Sequence, residues 1–220
     1  MNNRAILVGT MLLLTSVVVR GAGFEGLVHL QRAEMPEPPH DIIYRVKGEK
    51  NRVDVSRERV ATFLTDTAKG KTTVILEDDM AYLVMPSLVP LSEVPELEPT
   101  GETTTMLGQV AKKYLVTTYD GTAELWLAEG FGQYTGFGEG FERPPEHIPN
   151  VDVPEAPGPQ AWEYALLGTG LFPLQVVARD EFGREFFRLE AKAITPQPLS
   201  DRLFVPTSTY REVETWPKPL

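Results

Sequence analysis

Through much of the stretch from Phe24 to Leu127, apolar side chains recur at every second position. That period puts alternate residues on opposite faces of a strand. Phe24, Gly26, Val28 and Leu30 fall on one side, and Glu25, His29 and Gln31 on the other. Ile42, Tyr44 and Val46 repeat the pattern before Lys47-Gly48-Glu49-Lys50-Asn51, a turn that leads into Val53 and Val55. Ala61, Phe63 and Thr65 follow, and Ala68-Lys69-Gly70-Lys71 turns them into Thr72 to Leu76. Glu77-Asp78-Asp79 then turns into Met80 to Met85. Short β-branched and aromatic runs separated by Gly, Asn, Asp and Lys predict a meander of antiparallel hairpins.

Two later pairs read the same way. Lys113 to Tyr119 meets Ala123 to Leu127 across Asp120-Gly121, a short-range hairpin signal. Leu174 to Ala178 meets Phe186 to Ala191 across Asp180-Glu181-Phe182-Gly183, and Leu203-Phe204-Val205 forms a last short run before a proline-bearing tail. A helix is predicted over Pro159 to Leu167, because proline suits a first turn and Gly168 stops the run. Met106 to Lys112 fits a strand better than a second helix. Pro86 to Glu102 and Gly130 to Gly158 carry prolines, acids and glycines without a period, and are expected to lack regular structure. Ile42 beside Ile43, Tyr82-Leu83-Val84 and Val176 beside Val177 make some strands apolar on both faces. A half-solvated sheet would alternate cleanly, so the second face is expected to be covered, by the chain's own loops and helix or by a bound apolar molecule.

The N-terminus changes the picture of where the protein works. Arg4 precedes an apolar run from Ala5 to Val19, and small residues follow at Gly21, Ala22 and Gly23. A charged start, a short apolar core and a small-residue exit predict a signal peptide over residues 1–22. The run is shorter than the roughly 20 residues a membrane span needs, so no stable membrane anchor is expected after its removal. Residues 23–220 then form one domain that is periplasmic or, failing that, secreted. There is no cysteine, which excludes disulfides, thiolate metal sites, a thiol nucleophile and a lipid-bearing cysteine. The chain has 21 basic and 31 acidic side chains, a net charge of −10. With Arg4 and Arg20 removed, 19 basic side chains face 31 acids, a net of −12 that repels phosphate backbones. No nucleic-acid partner is expected.

Catalytic chemistry finds little footing. His29 is expected on a strand and His40 and His147 in proline-rich loops, without the close spacing of a zinc motif, so no metal site is expected. Neither G-x-S-x-G nor S-x-x-K occurs, and carboxylates are too abundant for any pair to stand out. Gly130 to Phe141 alternates glycine with aromatics, but Glu142-Arg143-Pro144-Pro145 follows where a phosphate loop would enter a helix. No cofactor is expected, and the chain is read as a binding protein and not as an enzyme. That Gly-aromatic stretch is either a loop anchored on the sheet or a lid over a ligand. Trp126, Phe131, Tyr134, Phe137, Phe141 and Trp162 are the candidate ligand contacts, supplying apolar area.

The order of short motifs resembles an exported bacterial family, the domain of unknown function numbered 4412. Phe24-Glu25-Gly26 stands after the signal, Lys47-Gly48-Glu49-Lys50 at a turn, and Tyr82-Leu83-Val84-Met85-Pro86 at the end of a hairpin. Thr100-Gly101, the run Gly108 to Tyr114, and Leu125-Trp126-Leu127-Ala128-Glu129-Gly130 follow. Phe172-Pro173-Leu174, and Phe204-Val205-Pro206 with Tyr210, close the series. The chain departs from the family at Ala111, where cysteine is frequent. The family in turn resembles the outer-membrane lipoprotein carrier superfamily. This implies a mainly β (α+β) fold, a curved antiparallel sheet or incomplete β-barrel with one or two helices and long loops covering one face. It also implies an apolar ligand, such as a lipid, an acyl chain or a lipidated peptide, in the concavity. The alternative is an envelope protein-protein interaction or sensor domain with no small-molecule ligand.

Overall fold

The computed structural model describes residues 23–56, 60–86, 94–118, 121–136 and 161–214. Twelve strands form one sheet in the order β12-β6-β5-β4-β3-β2-β1-β11-β10-β9-β8-β7. The first meander comprises β1 (Glu25–Glu34), β2 (His40–Lys47), β3 (Lys50–Ser56), β4 (Val60–Asp66), β5 (Lys71–Leu76) and β6 (Ala81–Pro86). The second comprises β7 (Glu98–Met106), β8 (Gln109–Thr118), β9 (Gly121–Glu129), β10 (Leu171–Asp180) and β11 (Glu185–Pro196). Antiparallel pairing of β1 with β11 joins the two. The last strand, β12 (Arg211–Glu212), pairs in parallel with β6.

The sheet is curved and does not close. In a flat sheet, β2 and β10, with β1 and β11 between them, would stand about 14 Å apart. Tyr44 of β2 and Phe172 of β10 nevertheless meet with ring centroids 5.1 Å apart. Register shifts between His29 and Leu30, between Pro173 and Gln175, and between Ala178 and Arg179 accompany that bend. Alternation decides which residues enter the concavity. Gly26, Val28 and Leu30 are buried along β1, as are Ile42, Tyr44 and Val46 along β2. Leu125, Leu127, Leu174, Val176, Phe187 and Leu189 meet them from the other meander in a shared core.

Three expectations are corrected. Glu98 to Met106 is a strand, although Pro86 to Glu102 was expected to be irregular. Eight of its nine residues are exposed, so no buried face imposes alternation, and an edge strand tolerates Pro99. Leu203-Phe204-Val205 is not a strand. Asp201–Phe204 is a 3-10 turn capped by Ser200, whose hydroxyl accepts from the Arg202 amide. His40 opens β2 instead of lying in a loop.

The helix α1 (Ala161–Leu166) lies within its predicted span. The apolar second face has its own cover. Arg52 donates to the Leu203 carbonyl at 3.0 Å and Lys47 to the Leu199 carbonyl at 2.7 Å, which draws the C-terminal segment over the outer face of β2 and β3. Leu64 and Ile75, on that outer face, are buried, as are Leu199 and Phe204 of the segment. Tyr82 donates to Glu212 at 3.0 Å where β12 meets β6.

Candidate ligand-binding concavity

The inner face of the sheet is closed by a short strap, residues 131–136, and by α1. The strap enters from β9. The Phe24 amide donates to the Gly130 carbonyl at 3.1 Å, and Gly132 passes so close to the β2–β3 turn that a Cβ there would lie 2.9 Å from the Gly48 carbonyl oxygen. Side chains of the sheet then hold the strap backbone. The Tyr44 hydroxyl accepts from the Thr135 amide at 3.0 Å and shares a hydrogen bond with the Thr135 hydroxyl at 2.8 Å. Asn51 donates from Nδ2 to the Gln133 carbonyl at 2.7 Å. Tyr134 donates to Glu163 of α1 at 2.7 Å, tying strap to helix.

Aromatic rings fill the space these bonds enclose. Phe131, Tyr134 and Trp162 are 2%, 0% and 2% exposed. Tyr134 lies 6.2 Å from Trp162, 6.1 Å from Tyr44 and 6.0 Å from Phe172, and Trp162 lies 5.5 Å from Phe187, all between centroids. Three of the candidate contacts, Phe131, Tyr134 and Trp162, therefore come together in the concavity. Trp126 is half-buried and packs against the core cluster, with the Lys113 ammonium 5.9 Å from its ring centroid. Lys113 in turn pairs with Glu124 at 3.0 Å, and Glu124 also meets Arg179. Those cations hold the Glu124 carboxyl below the usual range. Phe137 and Phe141 lie outside the described residues, as does the predicted signal peptide.

A buried polar group crosses the apolar space. Arg32 is 2% exposed, pairs with Glu34 and lies 5.3 Å from the Phe187 ring centroid. Burial pushes the Tyr44 phenol up to about 12, against hydrogen bonds from Thr135 that lower it. Burial likewise raises Tyr134 well above its ordinary value. The Glu163 charge and hydrogen bond add to that rise, and the Arg32 cation opposes it. Burial and the Glu163 charge keep both phenols protonated, as hydrogen-bond formers. Among the described residues, no group of three or more His, Asp or Glu side chains is placed to hold a metal ion.

Sequence reasoning missed Arg32, Tyr44, Asn51, Thr135, Glu163, Phe172 and Phe187 as parts of this region. A signal existed for three of them. Tyr44 falls between Ile42 and Val46 on the inward side of β2. Arg32 and Asn51 occupy inward positions in the alternation of β1 and β3, where a polar residue is out of place. Glu163 carried no such mark, because a single acid in a short helix is ordinary.

No curated protein matches this sequence. Several solved structures resemble the fold. An uncharacterized conserved protein from Thermus thermophilus is 12% identical with a TM-score of 0.49, over 88% of this chain and 91% of that one. PNGF-II is 13% identical with a TM-score of 0.50, over 87% of this chain but 31% of that one. A LolA superfamily protein from Nitrosomonas europaea is 12% identical with a TM-score of 0.32, over 84% of this chain and 90% of that one. Likeness at such identity concerns the fold alone. A family model is matched from residue 24 to residue 210, a span that runs from the first strand of the concavity through the strap and α1 to the C-terminal cover, and by that match the chain belongs to the DUF4412 family, a domain of unknown function.

Proposed function

We infer that this protein is a periplasmic binding protein whose concavity takes an apolar ligand, a lipid or the acyl chain of a lipidated peptide, in exchange for its own aromatic filling. One observation carries the reading. The groups that fill the concavity, Phe131, Tyr134 and Trp162, belong to a strap and a six-residue helix held by side-chain hydrogen bonds, and not to the strand ladder. An acyl chain that replaces these rings exchanges one buried apolar surface for another. The sheet can stay intact meanwhile, and the cost is a few hydrogen bonds of about 1 kcal/mol each. The charged start and short apolar run at residues 1–22 support export, and the N-terminus of protein recovered from the envelope tests it.

Tryptophan quenching tests the exchange. The chain has three tryptophans, Trp126, Trp162 and Trp216. A Trp126→Phe/Trp216→Phe variant keeps Trp162 alone, and bromine-labelled fatty acid bound in the concavity quenches it. The converse variant that keeps Trp126 alone stays bright, since Trp126 alternates with the inward Leu125 and Leu127 and its ring lies under the Lys113 ammonium. Native mass spectrometry of protein purified from its host should show co-purifying acyl species. A bare chain with an unquenched Trp162 refutes the carrier reading. It would select the alternative, an envelope interaction or sensor domain with no small-molecule ligand.

A further inference from the structure

The two edges of the sheet are treated differently. At one, β12 pairs with β6, with Arg211 opposite Ala81 and Glu212 opposite Tyr82. At the other, β7 ends the order, and among the described residues nothing pairs with its outer side. Every residue from Glu98 to Thr105 is exposed.

The hairpin geometry identifies which backbone groups are open. Leu107 and Gly108 have φ of 50° and 77°, the two left-handed residues of a two-residue turn, and Gly108 meets that demand without a Cβ. Met106 and Gln109 flank the turn and form its hydrogen-bonded pair. Alternation makes Thr104 and Ala111 the next such pair. The amides and carbonyls of Thr103 and Thr105 therefore point away from β8. Sheet edges are usually blunted by proline, bulges or charge. Pro99, Gly101 and a register shift between Pro99 and Thr103 do this for the first half of β7. The second half, Thr103-Thr104-Thr105, has no such protection and is wholly β-branched, which favours extended backbone.

Charge narrows the occupant. Glu98 and Glu102 lie on β7 and are exposed, as is Glu96 just before the strand. The nearest cations on β8 are engaged, Lys112 with Glu129 at 2.8 Å and Lys113 with Glu124 at 3.0 Å and Glu102 at 3.5 Å. A second copy of a chain with net charge −10 would bring like charge to this edge. We propose that the Thr103–Thr105 edge of β7 is a strand-addition site for an extended, lysine- or arginine-bearing segment of a partner protein. The partner adds a strand through the open groups of Thr103 and Thr105, and its cations lie beside Glu98 and Glu102.

Amide exchange with a synthetic probe, Lys-Thr-Val-Lys-Val-Thr-Lys, and its counterpart with Glu at each Lys tests the site. In the free protein the Thr103 and Thr105 amides exchange rapidly, and the lysine peptide slows both by at least about tenfold. The Thr105→Pro variant removes an amide outside the β7–β8 ladder, so it folds with an unchanged circular dichroism spectrum and loses that protection. Glu98→Lys/Glu102→Lys reverses the preference to the glutamate peptide and keeps the site testable should the proline variant not fold. The proposal is overturned by protection of both amides before peptide is added, or by protection that rises with protein concentration alone, which would mean a second copy. Equal binding of the two peptides, unchanged binding to folded Thr105→Pro, or no protection at millimolar lysine peptide overturns it as well.

Discussion

Tyr44 shows how one residue joins core and strap. Its ring packs edge-on against Phe172 while its hydroxyl holds the Thr135 backbone and side chain. Tyr44→Phe keeps the ring and loses the hydroxyl, leaving the Thr135 amide without its acceptor. A destabilisation of about 1–2 kcal/mol near neutral pH is expected, read by urea titration. The pH dependence follows from the direction of the phenol's shift. The unfolded tyrosine releases its proton near 10.0, whereas the folded one holds it to about 12. Stability from this group is complete below pH 10 and is lost as pH climbs from 10 to 12, by on the order of 2–3 kcal/mol. The variant should lack that part of the alkaline decline. Matching declines in the two proteins would show that the phenol is not sealed. Tyr44 was legible in the sequence as an inward residue, between Ile42 and Val46. Its partner Thr135, 91 positions away, was not, because no local pattern encodes a contact across that separation.

At the scale of elements, the strap depends on how closely it approaches the β2–β3 turn. Gly132 has a φ of 76°, and a Cβ there would press on the Gly48 carbonyl. Gly132→Ala is therefore expected to lift the strap, lowering stability by about 1–3 kcal/mol and red-shifting the emission of Trp162 in the variant that keeps it as the sole tryptophan. An unshifted spectrum would mean that the strap is held without this approach. Elements with a buried face were readable. The strands from Glu25 to Leu76 follow the alternation, as do β9 to β11, because burial on one side writes period two into the residues. β7 and the 3-10 turn were not readable, for opposite reasons. The strand is exposed nearly throughout and has no apolar face to mark it. The turn resembles an apolar strand because Leu203 and Phe204 serve to cover another element's outer face.

For the whole molecule, the β1–β11 pairing decides cooperativity. It brings Val28, Tyr44 and Val53 of the first meander into one core with Ala111, Leu125 and Leu189 of the second. The two meanders are expected to unfold in a single transition. The slowest-exchanging amides should lie in β1, β2, β10 and β11, and Arg211 and Glu212 should exchange rapidly at their edge. Native-state hydrogen exchange checks this. Slow amides confined to β4–β6, with early loss of the second meander, would show two separable units instead.

The sequence alone determined the antiparallel class, most strand positions, the inward face of the strands that have a buried side, and the place of the helix, since these follow from period two, turn residues and a glycine stop. The tertiary structure decided the rest. It set which meander edges meet, which end is capped by β12 and which is left open, and which rings the strap and the helix carry into the concavity, as with Tyr134 and Trp162. Those outcomes depend on the curvature of the sheet and on contacts between residues distant in the chain, and short-range alternation carries no record of either.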